Sequence, residues 1–108
     1  WKIVEAMGVA VPDSLENQPF VELNVAEKKL HAQAGCNLLN GGYQTEEGNP
    51  QSISFPQLIS TMMACPDMET EDRVKQALNA THSFGRLQEG RVGFYDADNA
   101  LVMVLVRF

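Results

Sequence analysis

The side chains with the most chemical potential in this 108-residue chain are its two cysteines, Cys36 and Cys65, set 29 positions apart. As a nucleophile Cys36 needs a base, and only His31 and His82 carry an imidazole. His31 lies five residues back along an expected strand, which turns its side chain to the opposite face. His82 sits near the end of an expected helix, where the helix dipole accounts for it. As metal ligands the cysteines lack a CxxC arrangement and the histidines lack ligand spacing. Two readings stay open on spacing alone: a pair of small buried hydrophobes, or a disulfide. The disulfide would close a loop of about 30 residues and contribute about 3–4 kcal/mol.

Other reactive groups have plainer explanations. Asp96-Ala97-Asp98-Asn99 resembles the start of a calcium loop but lacks its glycine and distal glutamate, so a hairpin turn is expected. Met7, Met62, Met63, Met68 and Met103 suit soft metals, yet methionine is more commonly core filler. Glu46-Glu47 and the Glu69, Glu71, Asp72 cluster read as a solvated turn and a helix N-terminus rather than acid–base pairs. No phosphate loop, nucleophile elbow or zinc-protease helix is present. No catalytic residue, cofactor or metal site is therefore expected.

The elements that carry these residues are mostly strands. Trp1 to Glu5 opens as one, and Met7 to Pro19 reads as loop, broken by Pro12, Asn17 and Pro19. Val21, Leu23 and Val25 alternate with polar residues, and Leu30, Ala32, Ala34 and Cys36 do the same, which places the Cys36 sulfur on the apolar side. Gly41-Gly42, Glu47 to Pro50 and Glu89-Gly90 read as turns. The chain closes with a hairpin, Arg91 to Tyr95 and Leu101 to Phe108, around the Asp96–Asn99 turn. One segment has helical period: Val74, Ala77, Leu78 and Thr81 form a stripe within residues 69–82, with Asp67 or Thr70 as N-cap and Gly85 marking the end. The expected fold class is α+β: a single domain over residues 1–108, a strand-rich antiparallel sheet or barrel with one packed amphipathic helix.

Bulk properties exclude some partners. A net charge of -6 and a pI near 4.7 repel a phosphate backbone or an anionic membrane surface, and Lys28-Lys29 is the sole adjacent basic pair. Nucleic-acid binding is not expected. The longest apolar run, Ala100 to Val106, is seven residues, far short of a helical membrane span. The chain opens on Trp1 without a methionine and reads as a mature or trimmed product, leaving room for a removed targeting segment.

Two signatures identify a family resemblance. Gly35-Cys36-Asn37, followed by Gly41 and Tyr43, resembles the GCN-x-x-x-G-x-Y stretch of the META domain family, which includes bacterial heat-inducible lipoproteins of the HslJ type. Thr61, Met63, Ala64 and Cys65 resemble its second signature, T-x-M-A-C. An acidic helix and a terminal strand pair follow in the family's order, so the likeness covers nearly the whole chain. One departure is Leu38-Leu39, where members often carry a basic or aromatic residue. The resemblance implies a small open or cracked β-barrel with a helix packed across it. It further implies a Cys36–Cys65 disulfide and an exported protein of the bacterial envelope, periplasmic or outer-membrane, attached to a membrane only through an upstream lipid anchor. It implies no enzymology. The expected role is non-enzymatic and stress-associated, a scaffold or binding surface for a protein or apolar ligand. The alternative is a carrier holding an apolar ligand or lipid tail between helix and barrel, lined by Val74, Ala77, Leu78, Val102, Val104 and Val106.

Overall fold

A computed structural model describes residues 1–12, 18–63 and 68–107. Among the described residues nine antiparallel strands form one sheet: β1 (Lys2–Ala6), β2 (Val9–Ala10), β3 (Phe20–Asn24), β4 (Lys29–Gln33), β5 (Leu38–Gly42), β6 (Leu58–Ser60), β7 (Ser83–Arg86), β8 (Val92–Tyr95) and β9 (Leu101–Val106). An α-helix, α1 (Glu69–Ala80), precedes β7, and a 3₁₀ turn (Gln88–Gly90) joins β7 to β8. The strand order is β6-β5-β4-β3-β1-β9-β8-β7, with β2 paired to β1. The fold class is thus α+β, a strand-rich open barrel with one helix.

The open edges approach each other through an irregular segment. Ser54 bridges to Gln44 beyond β5, while Ser52 bridges to Ser83 on β7. Backbone bonds from Ile53 N to the His82 carbonyl at 3.2 Å and from Phe84 N to the Gln51 carbonyl at 2.9 Å extend that closure. The β1–β3 seam is thin, with one register pair, Lys2 opposite Phe20.

Burial follows the predicted alternation where the strands are regular. Leu30, Ala32 and Ala34 are buried, as are Val21 and Ile3, and together with Phe94, Met103 and Leu105 they form the core. The helix lays Val74, Ala77 and Leu78 into that core at full burial. Each of the larger two stabilises by about 1.5–3 kcal/mol through water exclusion. Thr81 completes the stripe by closing the helix, its hydroxyl donating to the Ala77 carbonyl at 2.7 Å.

Several local expectations change. The Met7–Pro19 loop contains β2, because Met7 (φ 51°) and Gly8 (φ 79°) form a two-residue hairpin turn with both central residues left-handed. Val25 belongs to the β3–β4 turn rather than to the apolar row and is 76% exposed. Cys36 lies in the bend after β4, half-buried, not on the strand itself. Gly41 and Gly42 sit inside β5 instead of a turn. The helix N-cap is Met68 without a side-chain bond; Thr70 is buried within the first turn, and Asp67 lies outside the described residues. Gly85 falls in β7, since the helix already ends at Thr81, and His82 follows that cap.

Candidate functional site

Among the described residues the densest polar arrangement centres on Asn37, which is buried in the bend between β4 and β5. Its amide nitrogen donates to Glu71 Oε2 at 2.8 Å and to the Met63 carbonyl at 3.0 Å. Its amide oxygen accepts from the Thr61 hydroxyl and from Met63 N, each at 2.8 Å. Thr61 in turn accepts from Leu38 N at 3.0 Å, and the Asn37 backbone N–H donates to Glu71 Oε1 at 2.9 Å. An asparagine amide has two donors and one two-lone-pair acceptor. All of that capacity is used by protein partners.

Glu71 comes from the first turn of α1 and is 1% exposed. Burial pushes its carboxyl up. The Asn37 side chain and backbone, with the Lys75 ammonium 3.3 Å away, more than offset that and hold it below its ordinary value. Gly35, at φ 142°, lets the bend pass close to the helix: a Cβ there would stand 3.4 Å from Glu71 Cβ. Such a backbone conformation favours glycine. Gly41 serves a second close approach, because a Cβ on it would lie 2.5 Å from the Gln57 carbonyl oxygen ahead of β6. Tyr43, buried just beyond β5, belongs to the core.

A META domain family model matches residues 1–107. The chain belongs to the META domain family. Two solved structures share its fold. One, an NMR structure of a protein from Burkholderia xenovorans, is 20% identical, covers 96% of this chain and 76% of its own, and superposes with a TM-score of 0.68. The other, also determined by NMR, is 14% identical over 95% of this chain and 84% of its own, with a TM-score of 0.66. No curated protein matches the chain.

In this META domain the two sequence signatures converge on one another. Gly35, Asn37, Thr61 and Met63 meet in the Asn37 cluster, and Gly41 supports the β5–β6 pairing beside it. Ala64 and Cys65 lie outside the described residues. Sequence reasoning placed Glu71 at the helix N-terminus, where it stands, but missed that its side chain is buried. The signal was available: Glu71 precedes Val74 by three and Leu78 by seven, which places it on the buried stripe. Glu46 and Glu47 are exposed, as expected of a turn. His31 bonds Asn40 through Nδ1 at 2.7 Å and stacks near Phe20, with ring centroids 5.8 Å apart. Asp96 accepts from the backbone N–H groups of Asp98 and Ala100, both at 2.9 Å, which makes its carboxylate the brace of the β8–β9 turn.

The groove expected between helix and barrel is occupied by the protein's own side chains, since Val74, Ala77, Leu78, Val102 and Val104 are all buried; Val106, the last of the expected lining, is half-buried. An apolar pocket of about 130 Å³ lies elsewhere, lined by Trp1, Val21, Leu23, Phe84, Phe94 and Leu105 among others.

Proposed function

We propose that this META domain is a non-enzymatic, exported envelope protein, stress-associated, that acts as a structural support or binding surface. The observation that carries this reading is the Asn37 cluster. Its motif residues spend their polar groups on one another and on Glu71, which is how a scaffold uses them and not how a reaction centre does. The family likeness supports export and attachment through an upstream lipid anchor. The net charge of -6 argues against a nucleic-acid partner.

A Cys36–Cys65 disulfide fits this reading. Asn37 clamps both backbone groups of Met63, so the chain two residues ahead of Cys65 is held against the residue that follows Cys36. Two residues span at most about 7 Å, which is compatible with the Cα separation a disulfide needs. The test is mass spectrometry of protein exported from cells and alkylated under denaturing conditions, with and without reduction. Labelling of both cysteines only after reduction is expected; labelling without it overturns the disulfide. Fractionation of cells expressing the native gene tests location, and recovery in the cytosol alone overturns export.

A second reading, a carrier of an apolar ligand, is favoured by the pocket beneath Trp1 rather than by the helix interface first considered.

A further inference from the structure

Strand alternation carries the barrel's inner rows past its apolar floor and onto charged side chains. On β7, Phe84 opposes Phe94 of β8, and two residues on Arg86 opposes Val92. A step of two along a strand keeps the same face, so Arg86 extends the row that Phe84 begins. From Leu105 of β9, which also opposes Val92, the same step leads just past the end of the strand to Arg107. The Arg107 guanidinium carbon stands 5.4 Å from the centroid of the Trp1 ring, a cation–π distance. Arg91 enters from the end of the 3₁₀ turn. All three arginines line a recess of about 470 Å³ that shares Trp1, Phe84 and Val92 with the smaller apolar pocket.

The charge there runs against that of the whole protein. Apart from Arg73 these are all the chain's arginines, and the chain carries a net charge of -6. Among the described residues no acidic side chain lines the recess, and none of the three arginines pairs with a carboxylate. Three exposed, unpaired guanidinium groups around one recess repel one another, and an anion placed among them removes that repulsion. Guanidinium is also the group best shaped to hold a carboxylate with two parallel hydrogen bonds.

Size limits the apolar part of the ligand. At about 130 Å³ the pocket is close to the ~150 Å³ cavity that accommodates benzene in an engineered protein core. One ring or a short branched chain fits; a full lipid tail does not. We propose that pocket and recess form one site for a small amphipathic carboxylic acid, with its ring or short chain beneath Trp1 and its carboxylate held by Arg86, Arg91 and Arg107. This inference rests on the carrier reading and gives that reading a ligand class.

Trp1 is the sole tryptophan, so its fluorescence reports from the site itself. The experiment titrates the protein with phenylacetate and with 2-phenylethanol, the neutral counterpart, and follows amide shifts by NMR in parallel. Phenylacetate is expected to bind at least tenfold more tightly, and only its affinity should fall as salt is raised. Arg86→Gln and Arg91→Gln, both at exposed positions, should each weaken phenylacetate at least fivefold and leave the alcohol unchanged. Equal affinity for acid and alcohol overturns the anion site while keeping the carrier. If neither compound moves Trp1 fluorescence or the amides lining the pocket, both readings fall. Should a variant misfold by circular dichroism, the acid–alcohol ratio and salt dependence of the parent protein decide alone.

Discussion

Replacing Asn37 with alanine removes four side-chain hydrogen bonds at once: to Glu71, to the Met63 carbonyl, from Thr61 and from Met63 N. A bond between neutral groups contributes about 1 kcal/mol net, and one to a charged carboxylate about 2 kcal/mol. Asn37→Ala should therefore cost about 5 kcal/mol if no water replaces the lost partners, and about 3 kcal/mol if water enters beside Met63, whose side chain is exposed. Either value is a large part of the ~5–15 kcal/mol that stabilises a domain. Urea denaturation followed by circular dichroism measures it. Asn40→Ala is the control: Asn40 is exposed on the same hairpin and bonds only His31 through its side chain, so its loss should stay within about 0.5 kcal/mol. Asn37→Asp separates shape from bonding, since it keeps the volume but aims a second carboxylate at Glu71. It keeps the two bonds accepted from Thr61 and Met63 N but loses both donated ones, so at pH 7 it should be clearly less stable than the parent. An Asn37→Ala penalty below about 1 kcal/mol, or an aspartate variant as stable as the parent, would refute the clamp.

Three further outcomes follow from the same geometry. The Glu71 carboxyl is held below its ordinary value, so the stability it contributes is fully present above about pH 4.3 and is lost as pH falls through the folded value. Glu71→Gln should lower stability at pH 7 by about 2 kcal/mol and flatten that acid slope; an unchanged difference from the parent between pH 6 and pH 3 speaks against it. Gly41→Ala places a Cβ 2.5 Å from the Gln57 carbonyl and 2.9 Å from Leu58 Cδ2, so β6 must shift. A cost of about 2 kcal/mol with faster amide exchange across Leu58–Ser60 is expected, against little change for Gly42→Ala, whose nearest neighbour is 3.5 Å away. Reducing the proposed disulfide should lower the unfolding free energy by about 3–4 kcal/mol, read as a shift in urea midpoint.

What the chain revealed in advance was whatever depends on local period. The Val74–Thr81 stripe, the Leu30–Ala34 alternation and the β8–β9 hairpin each arise from neighbours a few residues apart, and each stands where expected. The Met7-Gly8 turn was obscured because a methionine with positive φ is uncommon, and Pro12 and Pro19 dominate that stretch. Gly41-Gly42 resembled a turn for the opposite reason: glycine there answers a close contact from Gln57, sixteen residues later, which no local rule encodes. Glu71 is the sharper case. Its acidic neighbours Glu69 and Asp72 suggested solvent, whereas its partner Asn37 is 34 positions away and only the fold brings them together.

Strand register separates the two polar features. Phe20 is opposite both Lys2 and Gln33, so stepping from Gln33 towards Asn37 moves along β1 in the direction of Ala6. Arg86, Arg91 and Arg107 cluster with Trp1 at the other end. At the Asn37 end the Asn37 amide and the Glu71 carboxylate have protein partners, and the helix seals the core behind them. At the Trp1 end the inner rows finish in cations without a carboxylate partner, beside an apolar pocket. A buried polar network is costly unless fully satisfied, so Asn37, Thr61, the Met63 backbone and Glu71 must be in place together for the clamp to stabilise the fold. An open rim carries no such constraint, so the exposed Arg86, Arg91 and Arg107 can each be replaced without leaving a buried group unpaired. The proposed carboxylate site therefore rests on the rim, where binding is the readout of a substitution, whereas a change in the clamp is read in stability.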